Sequence, residues 1–139
     1  MILLDTSGLL SAMFPDQRHH KACAAALLAA APPLIVSPFV VAEVDYLTTK
    51  YAGVEAEIEF LNDVAAGSYA VAPFEGSDVA NAVRVIERYR DLDVGLADAS
   101  IVVLADRYGS SDVLTLDERH FRTMRTKTGA PFRLLPSDA

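Results

Sequence analysis

A chain of 139 residues, 52% of them hydrophobic, is long enough for one sizeable core and too apolar for intrinsic disorder. Its single cysteine, Cys23, excludes an internal disulfide, which suits a reducing compartment, and the apolar run from Ala24 to Ala31 is far too short to span a bilayer. A formal net charge of −7 argues against a nucleic-acid partner unless cations gather locally or bound metal offsets the acids.

Ile2-Leu3-Leu4 lacks alternation and is too short for a helix, so it reads as a strand buried on both faces, the mark of a central parallel strand. Ser7 to Phe14 is a short apolar helix stopped by Pro15. Asp16 is placed to cap a second helix reaching Ala31, where Pro32-Pro33 ends it. Leu34 to Val36 is the next strand. Ser37-Pro38 is an N-cap followed by proline at the first helical position, and the helix runs to about Ala52, with Gly53 as its stop. A further helix covers Val54 to Ala66. Tyr69 to Phe74 is a third strand, and Ser77 is placed to cap a long amphipathic helix through about Arg90. After a turn over Asp91 to Gly95, Leu96 to Tyr108 is a strongly apolar helix stopped by Gly109. Val113 to Thr115 is a fourth strand, Asp117 to Met124 a short helix or turn, and Phe132 to Leu135 a last strand. Strands alternating with helices predict an α/β fold with a mainly parallel sheet, in one domain over residues 1–139. The N-terminus has no basic segment and carries Asp5 inside its apolar run, so it does not read as a secretory signal; the expectation is a cytoplasmic protein with no membrane association.

Asp5 and Asp117 each follow a predicted strand at its carboxyl end, where the crevice of an α/β sheet forms. Helical spacing sets Glu43 beside Val40 and Leu47, and Asp98 beside Ile101 and Val102; a carboxylate on an apolar face is costly unless paired or metal-bound. Each acid also has a plainer reading. Asp5 (or Thr6) and Asp117 suit helix caps, Glu43 suits a pair with Lys50 or Lys21, and Asp98 suits an early-turn acid serving the helix dipole. Gathered in one crevice, two such charges about 4 Å apart repel by roughly 4 kcal/mol at an effective dielectric of 20. Protons or a divalent cation must relieve that, and an oxygen-only donor set suits Mg²⁺ or Mn²⁺. Such a centre can activate water and stabilise charge on a phosphodiester.

Leu4-Asp5-Thr6-Ser7, Val41-Ala42-Glu43-Val44, Leu96-Ala97-Asp98-Ala99 and Leu114-Thr115-Leu116-Asp117-Glu118-Arg119-His120-Phe121 occur in this order across nearly the whole chain, and they resemble the acidic motifs of PIN domains. Length and motif wording are most similar to the VapC toxins of bacterial type II toxin–antitoxin pairs, the actinobacterial ones especially. The resemblance implies a three-layer α/β/α sandwich and a metal-dependent endoribonuclease. Asp5, Glu43, Asp98 and Asp117 would carry Mg²⁺ or Mn²⁺, with Asp5 and Asp98 as direct ligands, and Thr6 and Thr115 would position a ligand, a water or phosphate. It also implies cleavage of transfer RNA or a ribosomal RNA loop to 5′-phosphate and 3′-hydroxyl ends, a homodimer, and silencing by a cognate antitoxin. Two other readings stand beside it. One is a catalytically silent PIN-fold binding module, which the intact acids disfavour. The other is a phosphotransferase with Asp5 as nucleophile, whose haloacid-dehalogenase-like form wants an acid where this chain has Ser7. Arg119, Arg122, Arg125 and Lys127, with Arg133 nearby, are the candidate RNA contact. His120 reads as a surface residue, and His19, His20 and Cys23 offer zinc no fourth ligand.

Overall fold

The computed structural model describes all 139 residues. In chain order the elements are β1 (Ile2–Leu4), α1 (Thr6–Met13), α2 (His20–Ala29), β2 (Leu34–Val36), α3 (Pro38–Ala52), α4 (Val54–Ala65), β3 (Ala70–Val71), α5 (Gly76–Arg88), α6 (Leu96–Tyr108), β4 (Asp112–Leu114), α7 (Glu118–Thr123) and β5 (Arg133–Leu135). The five strands form one sheet in the order β3-β2-β1-β4-β5, and every pairing is parallel. From β1 the chain winds outward to β2 and β3, then crosses back to β4 and β5. With right-handed crossovers, that reversal sends the connecting helices to opposite faces, giving three layers. α2 packs on β4 and α6 on β1.

β1 is buried at every position because it has a strand on each side and helices on each face, which is why its sequence shows no alternation. Its side chains join Leu9, Ile35, Val40, Ile101, Leu104, Leu114 and Phe121 in the core. The winding direction reverses between β1 and β4, so their carboxyl ends part to leave the crevice expected of an open parallel sheet.

Two local devices set the helices around that crevice. Gly8 lets α1 lie directly on β4: a Cβ there would sit 2.4 Å from the Leu114 carbonyl oxygen and 2.8 Å from its side chain. Ser37 caps α3, its Oγ accepting from the Phe39 amide at 3.2 Å with Pro38 in the first turn, as the sequence predicts. The buried hydroxyls of Ser37 and Ser100 also lie 2.7 Å apart, and Ser100 reaches the Ala97 carbonyl at 2.6 Å. The first turns of α3 and α6 are thereby held together.

Three elements depart most from expectation. Asp16 does not cap α2, which starts at His20; residues before it are taken up by turns closed by Gln17 N–H to Phe14 O and His20 N–H to Gln17 O. The Asp16 carboxylate instead accepts the Tyr51 hydroxyl. Ser77 lies inside α5 rather than capping it: Glu75 holds the N-cap position and its amide donates to Asp78 Oδ2 at 2.8 Å. α5 ends at Arg88, and a single 3₁₀ turn over Arg90–Leu92 follows. The strand expected over Tyr69 to Phe74 is only Ala70–Val71, because Pro73 has no N–H for the ladder and its carbonyl is taken by Arg107 at 2.6 Å. No helix is long and apolar enough to cross a membrane.

Candidate active site

At the reversal point, a cavity of about 430 Å³ is lined by Asp5, Thr6, Ser7, Glu43, Asp98 and Asp117, with Leu10, Leu47 and the Gly95-Leu96-Ala97 segment completing its wall. All four sequence-selected acids thus meet in one place, brought from the ends of β1 and β4, from α3 and from the first turn of α6.

Asp5 is the buried member, 4% exposed. Its backbone begins α1, but its side chain makes no capping bond. Oδ2 instead accepts the Thr115 hydroxyl at 2.6 Å and lies 3.3 Å from Ser7 Oγ. Ser7 Oγ in turn accepts the Leu116 amide at 2.9 Å, and Thr115 Oγ1 accepts the Asp117 amide at 2.9 Å. Side chains from the two ends of the chain therefore fix the carboxylate. Burial pushes the Asp5 carboxyl up to about 7; the Thr115 hydrogen bond opposes this, and the charges of Asp98 and Asp117 add to it.

Asp117 caps α7, with Oδ1 accepting from the His120 amide at 3.0 Å, and it stands on the cavity wall as well. Asp98 is half-buried rather than embedded among apolar side chains, its own side chain 20% exposed. Burial raises its carboxyl, against the hydrogen bond and charge of His120, with Asp117 and Glu43 contributing repulsion. Glu43 is exposed, departing from the apolar-face expectation: the stripe of α3 that is buried runs through Val40, Val44 and Thr48, and Glu43 is turned to the cavity beside it. No ion pair joins it to Lys50 or Lys21.

Two residues of this site depart from the sequence reading, which set His120 at the surface and gave Ser7 no role of its own. His120 Nδ1 lies 2.8 Å from Asp98 Oδ2 and 2.9 Å from Asp117 Oδ2. With an acceptor-only carboxylate on either side, that nitrogen carries the hydrogen. The signal was present in the spacing, since His120 follows Asp117 by three residues and so shares its helical face. Ser7 gave no signal, because its partners Thr115 and Leu116 are 108 and 109 residues away.

The donor set suits a divalent cation. Carboxylate oxygens of Asp98 and Asp117 lie within 4.8 Å of one another, and the side-chain donors lining the cavity are oxygens. Thr6 Oγ1, on the cavity wall, is buried without a hydrogen-bond partner. A buried orphan hydroxyl beside crowded carboxylates is what a hydrated cation or a phosphate would satisfy.

Residues 2–126 match the family model for the PIN domain. The chain belongs to the PIN-domain family. A Mycobacterium tuberculosis protein named Ribonuclease VapC26 is 39% identical over 135 residues, which is 97% of this chain and 100% of its own length, and this sets the present PIN domain in the VapC group. The fold is similar to the crystal structure of M. tuberculosis VapC20, described as a sarcin–ricin loop cleaving toxin, with a TM-score of 0.78 at 16% identity over 84% of this chain and 90% of that one. It is similar also to a toxin–antitoxin complex from Klebsiella pneumoniae (TM-score 0.67, 22% identity, 89% and 92% covered). The VapBC2 complex of Rickettsia felis, bound to a promoter DNA fragment, matches with a TM-score of 0.67 at 18% identity over 96% and 98% of the two chains.

The basic residues of this PIN domain do not stay together. Arg122 is held by Glu118 at 2.9 Å and by both oxygens of Asp138 at 2.8 Å, which holds the Asp138 carboxyl down at about 2. Arg133 pairs with Asp112 at 3.0 Å. Arg119 is exposed on α7. Arg125 and Lys127 turn away to a separate groove beside α5 and α6.

Proposed function

We propose that this PIN domain is a metal-dependent endoribonuclease, the toxin of a toxin–antitoxin pair, which cuts a structured RNA of the translation apparatus, a transfer RNA or a ribosomal RNA loop. The observation that carries the reading is the convergence of Asp5, Glu43, Asp98 and Asp117 on one cavity at the reversal point of the sheet. Asp5, Asp98 and Asp117, with Glu43 at the open side, would hold Mg²⁺ or Mn²⁺. When bound, such an ion supplies charge stabilisation at the phosphate and activation of water. The chain's own residues provide the rest. Thr115 and Ser7 engage one oxygen of Asp5 and so orient the carboxylate. His120 sets the directions of Asp98 and Asp117. Thr6 offers an unpartnered hydroxyl to a phosphate oxygen or a water. Water attacks phosphorus, the bond to the 3′ oxygen breaks, and that oxygen takes up a proton, leaving 5′-phosphate and 3′-hydroxyl ends.

The name of the VapC26 relative supports ribonuclease chemistry, and the complexes among the structural neighbours support a protein antitoxin as partner. Residues 1–139 act as one domain, as a homodimer, in the cytoplasm. Mapping 5′-phosphate ends in cellular RNA after brief expression tests the reading: the intact chain should create new ends at discrete positions and Asp5→Asn should not. The same ends from both proteins would overturn it.

A further inference from the structure

A second cavity, about 510 Å³, runs along α5 and α6 and is closed by the segment that follows α7. Five of the chain's 12 lysines and arginines line it: Arg84, Arg88, Arg107, Arg125 and Lys127. Its own acids are already engaged. Asp78 pairs with Arg107 at 2.8 Å, and Asp106 Oδ1 accepts the Lys127 amide at 2.8 Å. The other four cations have no carboxylate partner. Arg84 donates only to Asn81, at 2.9 Å, and Arg88 lies over the Tyr89 ring, 5.4 Å from its centroid. Tyr89 itself is fixed by accepting the Arg125 amide at 2.9 Å. In a chain of net charge −7, four uncommitted cations around one groove are a local inversion of the field.

The groove and the acid cleft lie along the same helix, α6. Asp98, Val102 and Asp106 follow one another at four-residue spacing, so they form one ridge of α6; its first member lines the cleft and its last two line the groove. Two turns of helix separate the ends, about 12 Å along the axis. The segment from Asp117 to Lys127 makes the same journey. The cleft alone cannot attract a polyanion, since its four carboxylates outweigh one divalent cation. Affinity for a nucleic-acid backbone has to come from cations beside it, and guanidinium forks match phosphate oxygens.

We propose that this groove seats the phosphate backbone of the RNA substrate beside the scissile bond, with Arg84, Arg88, Arg125 and Lys127 as the phosphate contacts. The inference rests on the ribonuclease reading for the identity of the polyanion. It moves the RNA-contact surface from α7 to the α5–α6 face.

Binding in EDTA separates this from cleavage. The probe is a transfer RNA transcript, with affinity followed over a KCl series for the parent, for Arg84→Gln/Arg88→Gln, for Arg125→Gln/Lys127→Gln and for a charge-matched control, Arg18→Gln/Arg133→Gln. Arg125 and Lys127 use their backbone amides in the fold, so the second pair leaves those bonds intact if the first pair perturbs α5. Each groove pair should make the slope of log K against log salt shallower by about 1.4–1.8, the value for two phosphate contacts, and the control should not. With Mn²⁺ present, the groove pairs should raise KM for RNA cleavage with kcat little changed. Equal slopes in groove variants and control would overturn the proposal. So would an unchanged slope together with lost binding of the cognate antitoxin, which would give the groove to a protein. A parent that cleaves no RNA but shows the slope change would sink the nuclease reading and leave the groove standing.

Discussion

The two ends of α6 carry opposite charge by opposite means. At its N-terminal end the acid cleft is assembled from residues far apart in sequence, fixed by hydrogen bonds such as Thr115 to Asp5, and partly withdrawn from water. At its other end the basic groove is made of exposed side chains from two packed helices and one following segment, with few fixed partners. The cleft stores repulsion that only protons or a cation relieve, so its members should be individually indispensable. The groove sums weak contacts, so its members should be individually replaceable.

The largest expected effect is on catalysis. Asp98→Asn should reduce RNA cleavage to background, because the cation's contribution is lost. A single groove substitution such as Arg84→Gln should lower it only modestly. In metal-free protein Asp98→Asn should melt at the same temperature as the parent or higher, since a crowded charge is removed. Mn²⁺ should then stabilise the variant far less than the parent, for which a hundredfold excess over Kd is worth about 2.7 kcal/mol. Retained cleavage with an undiminished Mn²⁺ shift would show that Asp98 is a structural acid.

Next is the pH dependence of the cleft. Because Asp5 titrates near 7 when folded and near 3.8 when free, the native state holds a proton across that interval which the unfolded chain has released. Stability of the metal-free protein should therefore fall as pH rises from about 4 to about 7, by a slope approaching ~1.4 kcal/mol per pH unit from this group. Melting curves in EDTA across that range should be steep for the parent and flatter for Asp5→Asn. An equal slope in both would mean that Asp5 is not the stored charge.

A smaller effect is expected at Gly8. Alanine there must displace Leu114 or lift α1 off β4, at a cost of about 1–3 kcal/mol, and it should weaken Mn²⁺ binding because Ser7 and Asp5 move with α1. The smallest concerns Arg122, whose ion pairs are exposed; Arg122→Ala should leave both melting temperature and RNA binding close to parental values. A clear loss of RNA binding would return the contact surface to α7.

What the sequence displayed and what it hid follow the same division by range. Ile2 to Leu4 and the Ser37-Pro38 cap were readable because strand burial and capping are decided within a few residues. The four acids were readable as exceptions to local pattern, though Glu43 proved exposed. Asp16 failed as a cap because Tyr51, 35 residues away, claims its carboxylate. Arg122 looked free until Asp138 was seen folded back onto it, 16 residues on. The groove could not be read at all, since Arg84 and Arg125 become neighbours only when α5 and α6 pack and the chain after α7 closes over them.

The central position of β1 has a consequence for the chain's birth. Asp5 leaves the ribosome before Thr115, which fixes its carboxylate and follows 110 residues later. At about 5–20 residues per second, that interval is roughly 6–20 s. Throughout it β1 lacks its β4 neighbour and the crevice has only one wall. A nascent or truncated chain ending before β4 holds Asp5, Glu43 and Asp98 but has neither the Thr115 hydroxyl nor Asp117 to complete the set. The four-acid set is therefore complete only once β4 and the residues after it have been made.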